Sequence, residues 1–269
     1  MRLMSRHDFR MTCCAGKITL QMRTQLTGDI RVRWRSMECM KTRAIVLASV
    51  LTAVTAAVAG PKSSFTDTFA VDKADLASTG TNRFFVLSPG HQSVLEGRNR
   101  GKPVTLTVSV LAETKLVDGV ETRVVEERET IDGQLKEVSR NYFAISRRTT
   151  DVFYFGEDVD MYRDGQVVSH EGAWLSGVNG AQFGLMMPGT PLLGARYFQE
   201  IAPKIAMDRA EVLSVNEQCQ TTAGNFTQCL KTEETSALES ARETKVYAPG
   251  IGLIQDANLK LIKHGFITP

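Results

Sequence analysis

From residue 83 onward, apolar and polar positions alternate in short runs, broken by Gly, Pro, Asn and Asp. A period of two marks strands with one buried face, and the breaks mark turns. PVTLTVSVLAETKLV and VETRVVEERETI read as two strands joined across Asp118-Gly119. A two-residue turn at Asp132-Gly133 would pair Ile131 with Gln134, Glu129 with Lys136 and Arg128 with Glu137. Two facing pairs of opposite charge then follow from the turn alone. NYFAISRR and DVFYF continue the pattern, and TKVYAPGIGLIQDANLKLIKHGF closes it as three short strands. Residues 172 to 203 are rich in Gly and Pro and read as loop, short strand and loop. Within them ARYFQEIA fits a helical turn and a strand equally. The predicted fold is mainly β: one curved antiparallel sheet or half-barrel built of hairpins, with one or two short helices.

The stretch EDVDMYRDGQVVSHEGAW, residues 157 to 174, repays a closer reading. A two-residue turn at Asp164-Gly165 faces Tyr162 with Val167, Met161 with Val168, Val159 with His170 and Asp158 with Glu171. Alternation then gathers Asp158, Asp160 and Glu171 on one face and leaves His170 on the other. Facing like charges call for solvent, a neighbouring arginine or a hard cation held by oxygens. The spacing fails the EF-hand pattern, because Tyr162 and Arg163 stand where a ligand and a glycine are needed. Calcium therefore enters only as an alternative, with Asp158, Asp160 and Glu171 as its ligands.

The N-terminal part has another character. MKTRAIVLASVLTAVTAAVAG, from Met40, carries Lys41 and Arg43, then an apolar stretch, then the small-x-small triplet Ala57-Val58-Ala59. This is the layout of a secretory signal peptide, over residues 40–59. The apolar stretch is shorter than the roughly 20 residues of a membrane span. The simplest account makes Met40 the start and leaves 1–39 as an upstream extension without structure. The alternative is a basic extension with Arg31, Arg33 and Arg35 near a membrane. Residues 60–82 read as a loose polar arm and 83–269 as a single β-rich domain, with no transmembrane helix after the signal.

This division changes the charge. The chain has 32 Lys+Arg and 30 Asp+Glu. Removing the 10 basic and 3 acidic residues of 1–59 leaves 22 and 27, a net −5. A mildly acidic exported domain gives no reason to expect nucleic-acid binding. Of 5 cysteines, only Cys219 and Cys229 lie beyond the signal. A three-residue loop at Ala223-Gly224-Asn225 would set them opposite each other, at the separation a disulfide needs. Two free buried thiols are the alternative.

No nucleophile elbow, phosphate loop, HExxH or dinucleotide fingerprint occurs after the signal. His91, between Ser88 and Ser93, reads as part of a turn. Phe183, Leu185, Met186 and Met187 surround a glycine and suit an adaptable apolar surface, which makes them the candidate ligand-binding residues.

The segments YFGEDVDMYRDGQVVSHEGAW, MPGTPLLGARYFQEIAP, TAGNFTQCLKTEET and YAPGIGLI resemble a group of exported bacterial proteins without an assigned function. The order of an FFVLSPG opening, successive hairpins and a closing YAPGIGLI is similar in architecture to periplasmic half-barrels of the lipoprotein-carrier kind. That resemblance implies a curved sheet around a short helix, able to hold an acyl chain. The expected function is a non-enzymatic, periplasmic or extracellular β-domain binding a lipid, another apolar small molecule or a protein partner, without a cofactor. The alternative is a calcium-like metal-binding exported protein, with hydrolysis as its activity.

Overall fold

A computed structural model describes residues 10–14, 17–21 and 64–267. Segment 40–59, expected to be a signal peptide with cleavage after Ala59, lies outside the described residues. The upstream extension, expected to be without structure, carries a two-stranded hairpin of Arg10–Cys14 with Lys17–Gln21.

In the β-rich domain the hairpin turns set the frame. Asp118-Gly119, Asp132-Gly133 and Asp164-Gly165 have positive φ at both positions. That conformation twists a two-residue loop to match its strands. The main strands are β1 (His91–Asn99), β2 (Lys102–Val117), β3 (Val120–Ile131), β4 (Gln134–Ser146), β5 (Val152–Arg163) and β6 (Gln182–Met187). They continue as β7 (Arg196–Phe198), β8 (Asp208–Thr221), β9 (Gly224–Ser236), β10 (Arg242–Ala248), β11 (Gly252–Asp256) and β12 (Leu259–Phe266).

One sheet holds them in the order β7-β8-β9-β10-β11-β12-β1-β2-β3-β4-β5-β6, ending on the short strand Glu200–Ile201. Its two edges, β7 and Glu200–Ile201, are consecutive pieces of one segment, divided only by Gln199. β7 pairs with β8, and Glu200 pairs with Phe183 of β6. The sheet is therefore nearly closed and barrel-like, which disposes of most of its exposed edge. ARYFQEIA supplies these closing strands and is not helical. The expected short helices reduce to one 3-10 turn at Lys73–Asp75 among the described residues. No helix there is long and apolar enough to cross a membrane.

Both faces are covered over part of the sheet. Alternation sends Val125, Phe143 and Tyr154 to the inner cluster and Val124, Tyr142 and Phe153 to an outer one. Phe69, Val71 and Leu76 of the arm cover the outer cluster. YFAI and VFYF, residues 142–145 and 152–155, are continuous apolar runs because they are buried on both faces. The arm is thus packed, not loose, and Thr66 bridges to Tyr197 of β7. Arg123 ties it down, donating to Ser78 O at 2.9 Å, Thr79 Oγ1 at 2.6 Å and Ala112 O at 2.6 Å. Ala112 lies in the irregular stretch of β2 between Val110 and Thr114. Arg123→Ala should lower unfolding free energy by about 2 kcal/mol, because buried carbonyls lose their donor. A urea midpoint equal to wild type would contradict this.

Two bulges and one shorter turn correct three expected registers. Ile131 does face Gln134, but a shift after it sets Glu129 opposite Glu137 and Arg128 opposite Val138. Tyr162 faces Val167 as expected, but Met161 then faces Ser169. In the β8–β9 hairpin, Thr221 pairs with Gly224, so the loop has two residues, Thr222 and Ala223. Cys219 then faces Phe226, and Cys229 faces Glu217. The expected disulfide is not formed: both are free thiols.

A candidate site inside the closed sheet

Asp158 and Asp160 are engaged by protein donors. Lys115 Nζ lies 2.8 Å from Asp158 Oδ2, and the Tyr142 hydroxyl also donates to it. Burial works against the Asp158 carboxylate, but these two donors hold its pKa below the ordinary value. Arg140 reaches Asp160 at 3.3 Å and Glu126 at 3.3 Å. His170, expected on the far face, lies 3.0 Å from Asp160 Oδ1 and 2.8 Å from Val159 O. The bulge at Met161 and the end of pairing at Ser169 bring it round. Glu171 is exposed beyond the strand. No group of three or more His, Cys, Asp or Glu residues that could hold a metal occurs among the described residues.

The four apolar candidates are divided. Phe183 stacks on Phe155 in the outer cluster, at 4.8 Å between ring centroids. Leu185 packs against both clusters, and Met187 is buried in the inner one. Met186 lines a cavity inside the sheet.

That cavity has a volume of about 80 Å³. Val108 and Val110 of β2, Val125 and Glu127 of β3 and Phe143 of β4 form one wall. Lys245 and Tyr247 of β10, with Leu253 and Asp256 of β11, form the opposite one. Alternation places Glu127 on the same face as Val125, so a carboxylate enters a mainly apolar hollow. Glu127 sits deep in the sheet yet keeps accessible surface, and the cavity is what it faces.

Among the described residues Lys245 is the one lysine or arginine in the lining; His91 is also there, buried, with its pKa lowered by burial and by His264. Its Nζ lies 3.0 Å from Glu234 Oε2 and 3.9 Å from Asp256 Oδ2. Burial opposes the ammonium, but Asp256 and Glu234 keep its pKa well above that of an ordinary lysine. Glu234 also accepts from Gln199 Nε2 at 3.1 Å and the Tyr247 hydroxyl at 3.2 Å.

No family model and no curated relative matches the chain. A solved structure does. It is a Bacteroides fragilis protein described as exported, with a YmcC-like fold, 15% identical over 69% of this chain and 100% of that chain, with a TM-score of 0.35. At that distance the likeness says nothing of ligand or activity.

The inner carboxyls are displaced upward. Burial, reinforced by neighbouring acids, raises Glu127 and Glu157 to about 7. Glu129 and Glu137, which face each other, are raised in the same direction, chiefly by burial. A raised carboxyl pKa means that the folded chain holds a proton the unfolded chain has lost. The stability it contributes is full below about 4.5 and is lost as pH rises through about 7. Unfolding free energy should therefore fall between pH 5 and pH 8, by about 2 kcal/mol or more. A Glu127→Gln/Glu157→Gln variant should flatten that slope in urea titrations, and an unchanged slope would contradict it.

Sequence reasoning missed Glu127, Glu234, Lys245 and Asp256. Both faces of VETRVVEERETI mix apolar and charged residues, so alternation cannot tell which acids turn inward.

Proposed function

We propose that this is an exported, non-enzymatic binding domain whose closed sheet takes the apolar part of a small ligand into its inner cavity. The observation that carries this is the hollow itself, walled by Val110, Val125, Phe143 and Leu253, with Glu127, Lys245 and Asp256 as its charge-bearing groups. Ligand sites in β-barrels have this composition. A water occupies about 30 Å³, so the cavity accepts an end group and a few carbons. A longer ligand would run out through its open side. The signal-peptide layout of residues 40–59 supports export.

Titration of the delipidated chain with hexan-1-ol, followed by methyl NMR, tests the reading. Saturable shifts should centre on Val110, Val125 and Leu253, and Val125→Trp should abolish them. Shifts that never saturate, or that survive Val125→Trp, would contradict it.

A protein partner is the second reading. Leu192 and Leu193, adjacent and 66% and 71% exposed, favour it. Crosslinking in the periplasm that is identical for wild type and a Leu192→Ser/Leu193→Ser variant would remove it.

A further inference from the structure

We propose that the inner cavity selects a ligand whose buried end is a protonated amine, its apolar part lying against Val110, Val125 and Leu253. This rests on the binding reading above and names the ligand's chemistry.

The inference comes from which charges in the lining are already satisfied. Among the described residues two carboxyl groups and one ammonium face the cavity: Glu127, Asp256 and Lys245. The Lys245 ammonium is taken up by Glu234, at 3.0 Å. Glu127 has no hydrogen bond or ion pair among the described residues, and Asp256 Oδ1 is buried without a partner. The lining thus offers unfilled acceptors and an occupied donor. A carboxylate ligand would meet Glu127 and Asp256 as like charges and would have to draw Lys245 away from Glu234. A neutral ligand would leave Glu127 desolvated. An ammonium group supplies the missing donors, and charge-assisted hydrogen bonds are the stronger kind. The rings of Phe143 and Tyr247, also in the lining, add faces on which a cation is favoured.

A pH dependence follows. Glu127 is flanked by Ser139 and Val108 in register and meets the charges of Lys245, Asp256, Glu137 and Glu234. Burial holds its carboxyl partly protonated near neutrality. An arriving ammonium favours the ionised form, so binding releases a proton and tightens as pH rises through about 7.

The test compares three probes of equal length on the full chain at pH 8 by calorimetry: hexylamine, hexan-1-ol and hexanoate. The amine should bind about tenfold more tightly than the alcohol, with hexanoate weakest. Glu127→Gln should bring the amine down to the affinity of the alcohol, and Asp256→Asn, which also keeps the side-chain shape, should weaken the amine in the same direction. For wild type, the amine should bind less tightly at pH 6 than at pH 8. Equal affinities for amine and alcohol, or tightest binding of hexanoate, would overturn the amine inference while leaving the cavity as a binding site. No binding of any of the three would remove both.

Discussion

Replacing Lys245 with methionine should cost the fold about 3–5 kcal/mol, the range for breaking a buried ion pair from one side. The ammonium sits between Glu234 and Asp256, and among the described residues no other lysine or arginine lines the cavity. Methionine keeps much of the length and apolar stem, so packing changes little. What remains is Glu234, still held by Gln199 and Tyr247 but without its counter-charge. Adding Glu234→Gln should recover part of the loss, because the second substitution removes the stranded charge. The loss should also shrink at pH 5, where inner carboxyls take up protons. Urea midpoints at pH 5 and pH 7.5 for the single and double variants decide the matter. A loss below about 1 kcal/mol at pH 7.5 would mean that Lys245 is solvated as a surface residue is.

Replacing Gly184 with valine should be comparably damaging, by about 3 kcal/mol or more, the upper range for overpacking. A Cβ at Gly184 would stand 2.4 Å from the carbonyl carbon and oxygen of Gln199 and 2.7 Å from Phe198 O. These are backbone atoms of the segment that joins the two sheet edges, so no side-chain rotation relieves the clash. The segment must move away, and the sheet opens along β6. Hydrogen exchange gives a local reading of this. The amides of Phe198 and Gln199, which donate to Thr66 O and Asp208 O, should lose protection before those of β3 and β4. Unaltered protection at both amides would show that the closure does not depend on this close approach.

Much of the architecture was legible in the sequence. The Asp-Gly turns required positive φ at two successive residues, and Asp118, Asp132 and Asp164 have it. Alternation identified the strands and the antiparallel sheet. Bulges were not legible, because one extra residue leaves no mark in composition. Each shifts the pairing beyond it by a step, and this put Glu129 opposite Glu137 and brought His170 to Asp160, whereas a two-residue turn in place of a three-residue one moved Cys219 away from Cys229. Closure was not legible either. β12 returns to β1, and Arg196–Phe198 and Glu200–Ile201 join opposite edges, through contacts between distant residues with no local signature. The inner site depends on both features, so Glu127 and Lys245, far apart in the chain, could not be placed together from the sequence.

The nearly closed sheet encloses a poorly solvated hollow into which Glu127 and Asp256 turn. Titration of ¹³C-labelled glutamate carboxyls by NMR tests it most directly. Two resonances should have midpoints near 7, and the one absent in Glu127→Gln reports the hollow, Glu157 lying outside its lining. If Glu127 titrated near the ordinary 4.5, its side chain would be in open water and the hollow would not exist as described.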